Sequence, residues 1–395
     1  MLGLFKTLKT LQDRTPLGLL QLKHDPVRLL TAIAGITFAD ILIFMQLGFS
    51  DALYKSNTQY PRALQADLVL ISTQAKNFGQ LRTFTRRRLF QAQDVPGVVS
   101  ADALYVGSAE WRNPQTRKET SMMMIGQNPD QPAFTLPEVN QRLDAIHLPD
   151  TVLFDKASRG DYQDMIAKVE QGEFATTEIG TRTVTVAGLF EVGASFADDG
   201  ALVTSDQNFL RFFSRRDAGA VSLGLINLDP EADLEDVRTA LAARLPNDVQ
   251  VLTHEGYIAF ELNEIQSESP IGFVFGLGTA MGFIVGVVIV YQVLSTDVNS
   301  HLAEYATFKA MGYRNSYLLG VIFEEALILS LLGFLPGLVI ALGAYQLTAA
   351  ATALPLAMPI SRAFVVLFLT FIMCGGSGAI ATRRLQAADP ADIFS

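Results

Sequence analysis

Four long apolar windows constrain this chain more than any other feature. They cover Leu29–Ser50, Ile271–Leu294, Ala326–Thr348 and Ala363–Ala381. A helix needs about 20 apolar residues to cross roughly 30 Å of bilayer hydrocarbon. The last three windows contain no charged side chain, and the first contains only Asp40. The sequence therefore predicts an integral membrane protein with four transmembrane helices.

The charged residues are concentrated in one block between the first two windows. The 395-residue chain is 49% hydrophobic and 18% charged, whereas a soluble protein averages about 25% charged residues. Residues 51–268 carry 20 Lys and Arg against 31 Asp and Glu, a net charge of −11. Because a phosphate backbone attracts positive charge, this acidic block argues against a nucleic-acid partner.

Positively charged residues flank the windows unevenly. The loop between the third and fourth windows holds only Arg362. Nine lie at the chain ends or in the loop 295–325: Lys6, Lys9, Arg14, Lys23, Arg28, Lys309, Arg314, Arg383 and Arg384. The positive-inside rule then places the amphipathic segment 1–28, the loop 295–325 and the tail 382–395 in the cytoplasm. We expect a multi-pass protein of the inner (plasma) membrane, with residues 51–268 in the periplasm.

The block 51–268 alternates strand-like and helix-like segments, which predicts a large α+β extracytoplasmic domain inserted between transmembrane helices 1 and 2. The single cysteine, Cys374, lies in the fourth window, so this domain has no disulfide. Predicted strands are Asp67–Ser72, Val98–Val106, Ser121–Ile125, Thr151–Phe154, Thr183–Val192, Gly200–Thr204, Val221–Leu228 and Val249–Leu252. Predicted helices are Thr83–Gln93, Pro137–Ile146, Ser205–Phe213 and Leu234–Arg244, with two helical stalks at Asp51–Leu64 and from Gly256 onward.

No motif for enzyme chemistry is present. The chain contains no Gly-Lys pair and hence no P-loop, so we expect no cofactor, with ATP bound by a separate subunit. The four histidines lie outside the windows and show no metal-ligand spacing, so no metal and no catalytic residue are predicted. The Gly-Gly-Ser-Gly run 375–378 resembles an intramembrane serine protease motif, but without a nearby histidine it favours close helix packing.

The second window carries a face of small residues. Gly278, Gly282 and Gly286 recur every four residues, a spacing that lets helix backbones approach closely. Two alternatives remain open: packing within the chain, or the seam of a homodimer in the lipid bilayer.

Two acidic residues lie in or beside the windows. An unpaired carboxylate in a bilayer is costly, and the windows offer Asp40 no cationic partner. We therefore expect Asp40 either to be protonated or to accept a hydrogen bond from Thr37, Thr279 or Ser330, with a structural or conformational role. Glu325 lies at the cytoplasmic mouth of the third window.

The segment 299–312 predicts a cytoplasmic coupling helix. It begins at a capping residue, Asn299 or Ser300, and ends at Gly312. Its candidate ATPase-coupling residues are Leu302, Glu304, Tyr305, Phe308, Lys309 and Met311. Large apolar side chains on a loop outside the bilayer suggest a docking surface. The alternative is an interfacial helix lying on the lipid.

These features resemble the MacB/FtsX-like superfamily of ABC permeases. The segment 323–337 resembles its third-span pattern, with Glu325, Gly333 and Gly337 at the characteristic positions and Pro336 as a departure from it. The stretches 29–54, 301–313 and 389–394 resemble the cyanobacterial DevC-type subgroup.

The resemblance implies a permease subunit of a tripartite ABC exporter. Its implied partners are a DevA-like ATPase subunit, a DevB-like membrane-fusion adaptor and a TolC-like outer-membrane channel. The implied mechanism is mechanotransmission: a homodimer would convert ATP hydrolysis into motion of the periplasmic domain and export a lipid-like or other envelope-directed cargo. Two alternatives share the architecture: an FtsX-like regulator of a cell-wall hydrolase, and a lipoprotein-releasing permease.

Overall fold

The chain folds into two compact units. A computed structural model describes residues 25–267, 270–301, 307, 311 and 315–387. The unit that we call the membrane unit comprises Met1–Ser50, Val274–Leu347 and Ala357–Ser395, so far as these are described. The unit that we call the α+β unit comprises Asp51–Phe273 and Thr348–Leu356.

Four of the described helices are long and apolar enough to cross a bilayer, as the sequence predicts. They cover Pro26–Ala63, Pro270–Ser300, Gly320–Thr352 and Ile360–Ala381. The helices themselves are α1 (Pro26–Ala63), α9 (Pro270–Ser300), α10 (Asn315–Thr352) and α11 (Ile360–Ala387). Pro336 lies inside α10, whose helical hydrogen bonding continues past it.

The remaining elements form the α+β unit. The strands are β1 (Leu68–Ser72), β2 (Phe84–Thr85), β3 (Val98–Arg112), β4 (Glu119–Gln127), β5 (Thr151–Asp155), β6 (Ala175–Ile179), β7 (Arg182–Phe190), β8 (Ala201–Ser205), β9 (Ala220–Val221), β10 (Leu223–Leu228) and β11 (Val249–Thr253). The helices are α2 (Arg87–Gln93), α3 (Pro137–Asn140), α4 (Leu143–Ile146), α5 (Gln163–Glu170), α6 (Asp206–Phe212), α7 (Leu234–Arg244) and α8 (His254–Ser267), with a 3-10 turn at Phe78–Gln80.

One long strand, β3, belongs to both halves of the sheet. Nine strands are ordered β11-β1-β10-β3-β4-β8-β5-β7-β6, and β6 pairs additionally with the end of β3. The strands from β3 to β6 therefore close into a six-stranded ring, in which β4–β8 and β5–β7 are parallel. The other half is antiparallel and pairs with the first part of β3.

Two apolar clusters fill this unit, and each draws side chains from both halves of the sheet. The larger contains Trp111, Phe154 and Phe209, and the smaller contains Phe134, Phe190 and Tyr257. All six side chains are fully buried. Every residue of β1, β5 and β8 is buried, so these strands appear in the sequence as short runs rich in apolar residues and not as an alternating pattern.

The sequence placed most of these elements but not all of them. The helix predicted at Pro137–Ile146 is two short helices, α3 and α4, and α2 begins at Arg87 instead of Thr83. The elements α5 and β6, with the two-residue strands β2 and β9, were not predicted. The helix α7 has its predicted bounds because the Asp233 side chain caps it, accepting from the backbone N–H groups of Glu235 and Asp236.

Candidate functional site in the membrane unit

The glycine face of α9 is filled from within the chain. A Cβ atom placed on Gly286 would lie 2.0 Å from Met373 Sδ and 2.9 Å from Ala39 Cβ. One placed on Gly282 would lie 3.2 Å from Ile43 Cγ1. Only glycine lets α1 and α11 approach α9 this closely.

Gly278 completes the same face, since its Cβ would lie 2.5 Å from Gln46 Cδ of α1. Of the two alternatives from the sequence, the geometry favours packing within the chain. A homodimer seam on these three glycines would require α1 and α11 to move away from the glycine face of α9.

The partner of Asp40 differs from the three predicted candidates. Asp40 is fully buried, and the hydroxyl of Thr370 on α11 donates to its Oδ1 at 2.8 Å. The hydroxyls of Thr37, Thr279 and Ser330 donate instead to backbone carbonyl oxygens. Asp40 Oδ2 has no hydrogen-bond partner among the described residues. Asp40 therefore links α1 to α11, which agrees with a structural role.

A charged cluster joins the ends of three helices. Arg28 on α1 donates to Asp297 Oδ1 on α9 at 3.0 Å, and to Ser300 Oγ at 3.2 Å. The Asp297 side chain is 5% exposed and that of Arg28 18% exposed, so this is a largely buried ion pair. Such a pair is costly to break because removal of one partner leaves the other charge buried.

Glu325 and His301 complete this cluster. Glu325 on α10 is buried with its carboxyl against that of Asp297, and His301 Nδ1 lies 3.5 Å from Asp297 Oδ1. Hydrogen-bond partners are missing within the described residues for Glu325 Oε2 and Asp297 Oδ2. The cluster thus ties α1, α9 and α10 together immediately before the segment 302–314 that joins α9 to α10.

Most of the predicted coupling residues lie outside the described part of the chain. This holds for Leu302, Glu304, Tyr305, Phe308 and Lys309. Met311 is described, and its side chain is 61% exposed. Its backbone N–H donates to the carbonyl oxygen of Thr307 at 3.0 Å, a helical spacing. The C-terminal residues 389–394 of the resemblance also lie outside the described ranges.

Ser377 takes part in helix packing. Its hydroxyl donates to the carbonyl oxygen of Val287 on α9 at 2.9 Å. A serine engaged in this way, with no histidine in α11, gives no support to a protease. Within the described ranges, no group of His, Cys, Asp and Glu could hold a metal ion.

A series of contacts between buried polar and aromatic residues lies within the α+β unit. Glu261 on α8 is fully buried, and its Oε2 accepts from the backbone N–H of Phe78 at 3.0 Å. The Phe78 ring stacks on Tyr60 with centroids 5.9 Å apart, and the Tyr60 hydroxyl donates to Asp155 Oδ2 at 3.4 Å. Burial raises the pKa of Glu261 to about 7, and Tyr257 faces the same carboxyl. The chain of contacts links the last turns of α1, the 3-10 turn and α8.

The family comparison concerns the membrane unit. Residues 276–390 match the family of FtsX-like permease C-terminal domains. The match covers less than a third of the chain. The charged cluster and the glycine face both include residues of the matched stretch, and the match supports an ABC-transporter permease.

Three solved structures are similar to the α+β part. The periplasmic region of MacB from Actinobacillus actinomycetemcomitans has 11% identity and a TM-score of 0.35, covering 49% of this chain and 91% of that one. The extracellular domain of the noncanonic ABC-type transporter YknZ from Gram-positive bacteria has 14% identity and a TM-score of 0.30, covering 47% and 99%. A domain of a permease protein from Porphyromonas gingivalis has 13% identity and a TM-score of 0.30, covering 47% and 88%. No curated protein matched the chain, so the family match alone supports the functional assignment.

Sequence reasoning identified one member of the charged cluster, Glu325, and missed Asp297 and Arg28. Arg28 was counted only as a positive flanking charge. A usable signal existed, because Asp297 is an acidic residue only three positions beyond the apolar window 271–294. Such a residue at the end of a transmembrane helix needs a cation nearby.

Proposed function

We propose that this chain is the permease subunit of a tripartite ABC exporter of the DevC type. The observation that carries the proposal is the FtsX-like permease domain at residues 276–390. ATP would be hydrolysed by a separate DevA-like subunit, since the sequence has no P-loop. A DevB-like adaptor and a TolC-like channel would complete the path for a lipid-like or other envelope-directed cargo.

The proposed mechanism is mechanotransmission through the segment 299–312. An ATPase that docks on this segment would move the ends of α9 and α10, between which the segment lies. The pair Arg28–Asp297 would pass that movement to α1, and Glu325 holds α10 to the same cluster. Three helices would then respond together to one docking event.

The proposed assembly is a homodimer in the inner membrane, with the α+β unit in the periplasm. The glycine face supports contacts within the chain, so we propose that another helix surface forms the dimer. Exposed apolar side chains on α10 and α11, such as Val339 at 68% and Phe364 at 66%, offer such surfaces.

The test is a double substitution in the coupling segment. Tyr305→Ala with Phe308→Ala should abolish co-purification of the ATPase subunit in mild detergent, and export with it. The matched control is Leu148→Ala with Phe174→Ala, which shortens two exposed apolar side chains of the α+β unit at 57% and 68% exposure. The control should retain the ATPase. If the coupling variant also retains it with normal export, the coupling role belongs elsewhere, with residues 389–394 next in line.

A further inference from the structure

An arginine-rich surface stands out on the acidic α+β unit. Seven of the 20 Lys and Arg between residues 51 and 268 fall in two short segments, 82–88 and 211–216. The fold brings these segments together through the short pair of strands β2 and β9. The backbone N–H of Arg86 donates to the carbonyl oxygen of Gly219 at 2.7 Å, which fixes the junction.

Two of the seven arginines have acidic partners. Arg88 pairs with Asp248 at 3.0 Å, and Arg211 pairs with Asp150 at 2.9 Å. The other five form no salt bridge within the described residues. We call these five the basic patch: Arg82, Arg86, Arg87, Arg215 and Arg216. These five positive charges, which have no salt-bridge partner among the described residues, contrast with the net charge of −11 on residues 51–268.

At the centre of the basic patch, Arg216 is half-buried and Arg86 is exposed. Arg216 lies over the Phe209 ring, with Cζ 6.0 Å from the centroid, and donates to Ser222 Oγ at 2.6 Å. Arg86 lies within hydrogen-bond reach of the Tyr105 hydroxyl. Burial lowers the pKa of Arg216, and within the described residues no carboxylate pairs with it. A bound carboxylate would form a charge-assisted hydrogen bond with this half-buried guanidinium.

The rim of the basic patch is exposed and includes an apolar side chain. Arg82, Arg87 and Arg215 are exposed. Phe90 is 59% exposed and lies three residues after Arg87 on α2, so the two share a helix face. The carboxylate of the nearby Asp217 accepts from the backbone N–H of Gly219, and within the described residues it forms no salt bridge with these arginines. Cationic groups beside an exposed aromatic ring are typical of protein-binding surfaces.

We propose that the basic patch, with Phe90, docks an acidic segment of a partner protein. The charge balance selects this occupant over an anionic membrane or a nucleic acid. An extended anionic surface would be attracted by the patch but repelled by the net charge of −11 on residues 51–268. A short acidic segment meets the patch alone, because screening limits electrostatic contact to about 8 Å at physiological salt.

The first test uses the full chain in nanodiscs of uncharged lipid, without any ATPase, so that it is independent of the proposed export function. The probe is a fluorescein-labelled poly-glutamate peptide, measured by fluorescence anisotropy at physiological salt. Arg82→Glu, Arg87→Glu and Arg215→Glu together should weaken binding about tenfold or more. These side chains have no salt-bridge partner within the described ranges, and thermal melting checks that the variant folds.

The matched control makes the same change of charge elsewhere on the unit. Lys76→Glu, Lys118→Glu and Arg182→Glu alter three exposed residues outside the basic patch. The control should weaken the peptide about twofold or less, since only long-range charge changes. Equal weakening by both variants, or no binding to the unsubstituted chain, would overturn the proposal.

The second test identifies the occupant in cells. A photo-crosslinking amino acid at Thr83, an exposed residue beside Arg82, should attach a peptide in which Asp and Glu outnumber Lys and Arg. The crosslink should disappear in the Arg82→Glu, Arg87→Glu, Arg215→Glu background. Crosslinks to lipid or nucleic acid, or to peptides without an acidic excess, would refute a docking site for an acidic protein.

Discussion

The guanidinium of Arg28 donates to the carboxylate of Asp297 at 3.0 Å, although the two residues are 269 positions apart. Arg28 lies in the first turn of α1 and Asp297 in the last turn of α9. A positive charge that would otherwise only orient the first helix is therefore also a structural contact within the membrane unit. The two helices are fixed to each other at the point where the chain leaves α9 for the coupling segment.

Asp297→Asn should destabilise the membrane unit by about 3 kcal/mol, because it leaves the Arg28 guanidinium largely buried without its partner. Thermal unfolding of the full chain in detergent measures this effect. Asp94→Asn is the matched control, since Asp94 pairs with Arg244 at 3.3 Å and both side chains are more than half exposed. Its cost should stay below about 0.5 kcal/mol. Similar losses of stability in the two variants would show that the buried pair contributes no more to stability than the exposed pair.

Glu261 should make the stability of the α+β unit depend on pH. Burial raises its pKa from 4.5 to about 7, so the folded state binds the proton more tightly than the unfolded chain. The resulting stabilisation is complete below about pH 4.5 and is lost as the pH rises through about 7. It amounts to at most about 3 kcal/mol. The groups that face this carboxyl are Tyr257 and Glu264, and the like charge of Glu264 acts in the same direction.

The check is Glu261→Gln, which keeps an oxygen for the N–H of Phe78 but cannot ionise. Melting temperatures of the full chain should fall between about pH 5 and pH 7.5 in the parent, and fall less in the variant. The half-buried Glu264 supplies the control, since Glu264→Gln should leave most of the pH dependence intact. If the parent and the Glu261 variant show the same dependence, another group is responsible.

Gly286→Leu should prevent correct packing of the membrane unit. A side chain at this position would overlap Met373 and Ala39. Gly276→Leu is the matched control on the same helix, because a Cβ there meets nothing within 4 Å. Detergent-solubilised yield and size-exclusion profiles should separate the two variants, with only Gly286→Leu aggregating. Equal behaviour would contradict the assignment of the glycine face.

A cysteine pair can show which chain fills that face. A Cβ at Gly282 would lie 3.4 Å from Leu42 Cβ, near the separation that a disulfide requires. In a Cys374→Ser background, Leu42→Cys with Gly282→Cys should oxidise within one chain and give a crosslinked monomer on gels. A crosslinked dimer as the main product would instead indicate that the glycine face forms the seam of a homodimer.

Thiol labelling in intact spheroplasts tests the proposed orientation. Lys168 is exposed on α5, and the one native thiol, Cys374, is buried. Lys168→Cys should react with a membrane-impermeant maleimide from outside, whereas Tyr305→Cys should react only after the membrane is permeabilised. The opposite labelling would place the α+β unit in the cytoplasm.

Local signals in the sequence were enough to predict the secondary structure of much of the chain. Apolar length identified the four transmembrane helices, and the predicted helix Leu234–Arg244 has the bounds of α7. The misses also have local causes. The segment Ala175–Ile179 contains two Thr and a Glu, so its strand depends on pairing with both β7 and β3 and not on hydrophobicity. The predicted helix 137–146 divides where Gln141 and Arg142 end one helical turn and begin the next.

Contacts between residues far apart in the chain could not be predicted from the sequence, for a different reason. The glycine spacing in α9 indicates a close contact but does not say whether α1, α11 or a second copy provides it. Asp40 has several hydroxyls in nearby helices, and only the packing angle of α11 selects Thr370. The pairing of Arg28 with Asp297 is set by the same packing, so no window of the sequence contains it.

The strand β3 has a consequence for how the α+β unit folds. Its first part completes the antiparallel half of the sheet, and its second part closes the ring through β4 and β6. Neither half can therefore lose β3 without breaking the hydrogen bonds of the other. Both apolar clusters also span the two halves. Unfolding should consequently be cooperative across the whole unit, with a single transition instead of two, and amide protons along β3 should be among the last to exchange with solvent.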